Sequence, residues 1–309
     1  SQDATYKIAT GKDTTLSGNI TGTGKLSQIG ADDANYRGTL TLSGDNNFEG
    51  DTEVGSVLNV GSATALSAQS KLKVNNGGMV KLNGFDSTVA ALESGPQGGG
   101  VIEGSASLTA GDENNASFSG ILQDGTGALA FAKQGTGTQT LTGTNTYSGG
   151  TTVTAGILEI AGSGAINAAG ALSIGADGTL CFNTSADQNL DGVITGSGDL
   201  VKQGTGELTI TGANSFTGKA TIESGLVVLN SSATAITGDG DISTADVEVT
   251  GGTLRLDADN QLADDMDISI SSGEFSLNGK TESIDGLSNS GGVFSTGIGG
   301  TLNVLGNTV

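Results

Sequence analysis

The residues best suited to chemistry in this 309-residue chain are its carboxylates, which outnumber basic groups 33 to 12. Two carboxylates held roughly 5 to 9 Å apart can cleave a glycosidic bond. Asp257 with Asp259 and Asp264 with Asp265 offer such pairs. An acid within a run of acids more often forms a solvated face, and a saccharide-cleaving groove ordinarily adds aromatic platforms and cations, of which Arg255 is the local example. Histidine is absent, which removes Ser-His-Asp and Cys-His catalysis and every histidine-containing metal site. Neither a G-x-S-x-G elbow nor a phosphate-binding G-x-x-x-x-G-K-[ST] loop occurs. No catalytic residue, metal ligand or cofactor is assigned, and a polysaccharide-active enzyme stands as an alternative only.

Cys181 is the single cysteine and lies in the apolar run Gly178-Thr-Leu-Cys-Phe182, where a buried, inert thiol is expected. Asp239-Gly-Asp-Ile-Ser-Thr-Ala-Asp246 has the look of half a calcium loop, but Ala235 and Thr237 stand where the first two oxygen ligands belong.

A formal charge of −21 sets the long-range field against phosphate backbones and anionic lipid. Nucleic acid is therefore not an expected partner. No apolar run approaches the roughly 18 residues of a membrane span, so insertion by this region is not expected, and the opening Ser1-Gln-Asp-Ala-Thr5 lacks the character of a signal peptide. Charge is also unevenly placed. Seven of the twelve basic residues precede position 82, with Lys71, Lys73 and Lys81 a candidate patch for acidic glycans. Between Asp239 and Asp285, twelve acids accompany only Arg255 and Lys280. That acidic face, including Asp257, Asp259, Asp264, Asp265 and Asp267, is a candidate surface for association between cells.

The elements that must carry these groups are short strands. Leu40/Leu42, Leu208/Ile210, Leu254/Leu256, Ile268/Ile270 and Leu302/Val304 alternate with polar residues, the period of a strand with one buried face. Only 4% of residues are aromatic, tryptophan is absent, and glycine contributes 54 residues against one proline. Such a core is built from small aliphatic side chains, which suits thin repeated layers. Self-comparison decides between a sandwich and a solenoid. The pattern G-x-N-x-[FY]-x-G occurs at Gly44–Gly50, Gly143–Gly149 and Gly212–Gly218, the last two copies aligned at an offset of 69 from Lys133 to Gly156 and from Lys202 to Gly225. Leu82-Asn-Gly84 and Leu277-Asn-Gly279 repeat a second motif at an offset of 195. Recurring turns are needed by a solenoid, not by a closed sandwich. We therefore expect a single parallel β-helix over 1–309, with about 22 residues per coil and about 14 coils. Asn46, Asn145 and Asn214 should hold turns, with an amide bonded to backbone and a left-handed conformation. Phe48, Tyr147 and Phe216 should close the apolar interior beside them.

Lys133-Gln-Gly-Thr-Gly through Thr-Asn-Thr-Tyr-Ser-Gly-Gly to Leu158 resembles the passenger-associated transport repeat of bacterial type V autotransporters, AIDA-type adhesins included. Leu200 to Leu229 resembles it again, and 38–54 more weakly. The resemblance implies a right-handed parallel β-helical passenger, exported by a C-terminal outer-membrane barrel and displayed at the cell surface. It implies adhesion, aggregation or biofilm formation through other cells, host matrix protein or glycan. A passive stalk for secretion and display is the alternative. Nothing up to Val309 reads as the amphipathic strands of a barrel, so a passenger without its translocator is expected.

Overall fold

A computed structural model describes residues 2–30, 35, 37–167, 169–237 and 246–306. Among them the chain is strand and turn without helix, and its parallel strands stack as a β-solenoid of about 14 turns. The all-β fold expected from the repeats is the one observed. Contacts divide the chain into two compact units, Ser1–Thr151 with Gly164–Asn167, and Thr152–Ser163 with Ala168–Val309.

In the N-terminal unit one sheet runs Ala4–Lys7, Leu26–Ile29, Thr52–Val54, Lys71–Val74 and Ala91–Ser94. A second runs Asp13–Leu16, Thr39–Leu42, Val57–Val60, Met79–Lys81, Val101–Gly104 and Ile121–Asp124. Ser87–Val89, Ser107–Ala110 and Ala130–Lys133 belong to a third. Coils differ in length: Thr39 pairs with Val57, whereas Leu26 pairs with Thr52. Alternation places one side chain in two inward, and register stacks the inward ones into columns such as Leu40, Leu58, Val80, Ile102 and Leu122, all buried. Each layer packs mainly against its neighbours, which is why small aliphatic residues suffice, and Gln139 reaches a coil further, past Ala116 to the Leu92 backbone.

The second unit repeats this plan. One sheet contains Leu172–Thr184, Asp199–Gln203, Ala220–Ile222, Val247–Val249, Asp267–Ile270 and Gly286–Asn289. Another runs Gln188–Leu190, Glu207–Ile210, Leu226–Leu229, Thr253–Leu256, Glu274–Ser276 and Val293–Ser295. Its inward columns include Leu180, Leu200, Ala220, Val247 and Ile268.

The geometry explains every fixed position of G-x-N-x-[FY]-x-G. A Cβ on the first glycine would lie 2.2 Å from Gly18 O at Gly44, 1.9 Å from Gly120 O at Gly143 and 2.3 Å from Gly192 O at Gly212. The last glycine is equally confined, since a Cβ on Gly50 or Gly218 would meet Gly24 O or Gly198 O at 2.2 or 1.9 Å. Close approach of successive coils, not turn freedom, selects glycine there. The asparagine joins three coils. Asn46 Oδ1 accepts from Ile20 N at 2.8 Å while Nδ2 donates to Ala65 O at 2.7 Å. Asn145 likewise bridges Leu122 N and Ala165 O, both at 2.9 Å. Asn214 bridges Ile194 N at 2.8 Å and Ala235 O at 2.7 Å. The expected left-handed conformation is not what these residues adopt: among the described residues, the non-glycine positions with positive φ are Asn83, Asn260 and Asn278. Phe48, Tyr147 and Phe216 are buried as expected, and Tyr147 shares a 2.6 Å hydrogen bond with Thr151 Oγ1.

The repeat lysines are a further device. Lys202 occupies an inward column between Phe182 and Ile222 and is 1% exposed. Its ammonium runs along the interior to donate to Gln203 O at 2.5 Å and Gly204 O at 2.9 Å. Lys133 does the same to Gln134 O and Gly135 O, at 2.6 and 2.7 Å. Burial, opposed by Asp112, pushes the Lys133 ammonium down to about 8.

Candidate functional site

With the interior filled, any function belongs to the outward columns. On the first sheet of the N-terminal unit Thr5, Ser27, Glu53, Lys73 and Glu93 lie in register on five strands. Neighbouring strands stand about 4.8 Å apart, within reach of an ion pair between adjacent rungs. Lys71 and Lys73 both reach Glu93, at 3.0 and 3.3 Å, and Lys25 pairs with Glu53. Burial opposes ionisation of Glu53 and Glu93, but Lys25, Asn75 and Lys73 at Glu53, and Lys71 and Lys73 at Glu93, outweigh it and hold both carboxyls below the usual glutamate range. On the second sheet Asn59, Lys81, Glu103 and Gln123 form the equivalent column, with Lys81 3.1 Å from Glu103. The structure thus gives each lysine of the sequence-read basic patch a glutamate partner, and it divides them, Lys71 and Lys73 on one sheet and Lys81 on another.

The aspartates of the second unit are placed differently from one another. Asp257 is gripped by Arg255, whose Nε and Nη2 donate at 2.8 and 2.9 Å, and also accepts from Asn278 Nδ2 at 2.8 Å. The arginine, working against burial, holds that carboxyl below its usual range. Asp259 accepts from Thr281 N at 2.7 Å, capping the strand one coil on. Asp264 and Asp265 are exposed in a turn. Asp267 is pushed above the usual range by burial and by Asp285 and Asp246. Asp257 and Asp259 are therefore occupied with holding coils together, which leaves Asp264 and Asp265 as the exposed pair. Of the half calcium loop, 239–245 lie outside the described residues; Asp246 accepts from Asp267 N at 2.9 Å. Cys181 is buried, its thiol pushed up to about 12 by burial and then by Glu159 and Glu223.

One concavity stands on the N-terminal sheet and was not foreseen from sequence. It measures about 520 Å³, and Gly55 lies on it where the register of Ile29 and Asn75 continues. Lys25 and Glu53 line one side, Asp3 and Thr5 are among its further polar groups, and Asn76, Pro96 and Gln97 contribute two turns. The turn at Pro96 is closed by antiparallel bridges, Gly95 with Gly98 and Asn75 with Gly99. Gln28, 2% exposed, donates through Nε2 to Gly38 O and Val57 O at 3.0 and 3.1 Å, and its Oε1 finds no partner among the described residues. The signal in the sequence was the pair of turn strings, Asn75-Asn-Gly-Gly78 and Gly95-Pro-Gln-Gly98, one coil apart.

Comparison with known proteins agrees with the repeat geometry. The family described as Passenger-associated-transport-repeat matches residues 37–56, 131–160 and 200–229. The chain is 38% identical over 133 residues to "Adhesin BmaC autotransporter" of Brucella suis biovar 1 (strain 1330), across 41% of this chain and 4% of that protein. The chain therefore spans a small fraction of the length of this curated relative. No solved structure matches it. The three repeats, each with its glycine, asparagine and aromatic positions occupied, and the likeness to an adhesin support an autotransporter passenger domain for this chain.

Proposed function

We propose that this chain is the adhesive, non-enzymatic part of a surface protein, held at a bacterial cell surface by an outer-membrane barrel. A lateral face of its solenoid engages other cells, host matrix protein or glycan. The observation that carries this reading is the likeness to an autotransporter named as an adhesin. The outward columns add physical support: Thr5, Ser27, Glu53, Lys73 and Glu93 are polar and fixed in register by the backbone beneath. Many weak polar contacts on a preordered face can add up to useful avidity without a deep pocket. Engagement of Asp257 by Arg255 and of Asp259 by Thr281 N argues against those acids as a hydrolytic pair.

Display of the chain on a non-adherent bacterial host tests the reading. Aggregation, biofilm formation or retention on matrix protein or glycan above the empty display scaffold is expected. Retention no different from the scaffold would leave the passive stalk as the better account. Turnover of a polysaccharide that is lost in Asp264→Asn or Asp265→Asn would replace both with an enzyme.

A further inference from the structure

We infer that the concavity around Gly55 is a binding site for a neutral saccharide segment; this rests on the adhesive reading above and names one ligand class and one place for it. Its volume, about 520 Å³, falls within the roughly 300–1,000 Å³ of small-molecule sites.

The lining selects the ligand. Asn75, Asn76 and Gln97, which carry side-chain amides, and Thr5 and Ser27, which carry hydroxyls, line the space. Such groups offer donors and acceptors together, which matches hydroxyls that are themselves both. Ile29 is 42% exposed, and with Pro96 it supplies apolar surface for the carbon face of a ring.

Other ligand classes fit less well. Anions meet Asp3 and Glu53, and the one lysine in the lining, Lys25, is paired with Glu53; the chain's charge of −21 also repels them. An extended peptide would need a free strand edge. The strand Leu26–Ile29 is hydrogen-bonded on both sides, to Ala4–Lys7 and to Thr52–Val54.

The test titrates the whole chain with chitotriose, lactose and mannotriose, and with sialyllactose and oligogalacturonate as acidic arms, read by amide NMR shifts and calorimetry. Asn76 and Gln97 are exposed turn residues, so Asn76→Ala with Gln97→Ala should leave the fold intact, as circular dichroism will verify. At least one neutral oligosaccharide should bind, shift the amides of Asn75, Asn76 and Gln97, and lose about tenfold or more in affinity in the double variant. Gln123→Ala, on the second sheet, should bind as the parent does. The inference is overturned if no neutral probe shifts those amides, if only acidic probes bind, or if the double variant binds neutral sugar unchanged. Adhesion by the displayed chain without sugar binding would remove this site and keep the adhesive function. Sugar binding without adhesion would do the reverse.

Discussion

The two units have interiors of the same kind and differ in how their outward faces handle charge. In the N-terminal unit Lys25, Lys71, Lys73 and Lys81 neutralise Glu53, Glu93 and Glu103 across adjacent strands. The second unit has Lys219 with Glu248 and Arg255 with Asp257, and its aspartates serve the backbone as Asp3 and Asp86 do in the first: Asp187, Asp199 and Asp259 each accept from an N–H one coil on, at Glu207, Lys219 and Thr281. Glu282 goes further. It is fully buried and accepts from Gln261, Leu262 and Ser283 amides without a cation among its hydrogen-bond partners. Burial, reinforced by Asp264 against those amides, pushes it above the usual glutamate range. The same solenoid plan thus tolerates two solutions because its stability comes from the columns inside, leaving the outside free to vary.

The largest expected effect tests whether the interior is indeed common to both. Asn145→Ala and Asn214→Ala each strand a buried N–H on the preceding coil, Leu122 or Ile194, and remove a side-chain donor from a carbonyl on the next, Ala165, which keeps the Asn145 N–H, or Ala235. Each should cost about 1–3 kcal/mol, the cost of the buried N–H left unmet. Urea denaturation followed by local hydrogen exchange should show similar losses; a loss confined to one unit would break the parallel.

A pH experiment probes the difference, with a smaller effect. Glu53 and Glu93 are lowered from 4.5, so their contribution is present above pH 4.5 and is lost as pH falls through their folded values. Glu282 is raised from 4.5, so its penalty grows as pH rises from 4.5 to its folded value and vanishes below 4.5. Acidification from about pH 6 to about pH 3 should therefore weaken amide protection around Thr52–Val54 and Ala91–Ser94 more than around Thr281–Ile284. Equal loss in all three strands, after correction for intrinsic exchange, would contradict this assignment.

Tyr147→Phe removes the hydroxyl bonded to Thr151 and should cost about 1 kcal/mol. Phe216, at the same position of the other strong repeat, has no hydroxyl to lose, so Phe216→Tyr should destabilise by burying an added one. A stabilising Phe216→Tyr in thermal melts would show a partner for that oxygen. Smallest is Glu93→Gln, which removes the partner of Lys71 and Lys73; a partly exposed pair should change stability by about 0.5 kcal/mol, less at high salt. A salt-independent loss several times larger would mean the ladder is structural.

Much of the fold was legible because period two and repeated turns are local signals. Leu254/Leu256 and Ile268/Ile270 are inward pairs as their alternation required. What Asn145 does was not legible, since its partners Leu122 and Ala165 lie a coil away in either direction and coil length is variable. Lys202 reads as a surface charge in sequence; only its inward register opposite Phe182 shows it buried. The concavity depends on two turns and a glycine that register brings together, so Gly55 and Gln97 could not be joined by spacing alone.

The asparagine bridge also bears on how such a chain can lengthen. Each bridge reaches one coil back and one coil on, and the offset of 69 between the strong repeats is about three coils at the coil length expected of such solenoids. Duplicating or deleting a gene segment of that size restores every bridge except those at the joint. Copy number can therefore drift in evolution while each surviving coil keeps its neighbours, and a surface protein gains or loses reach without a new fold.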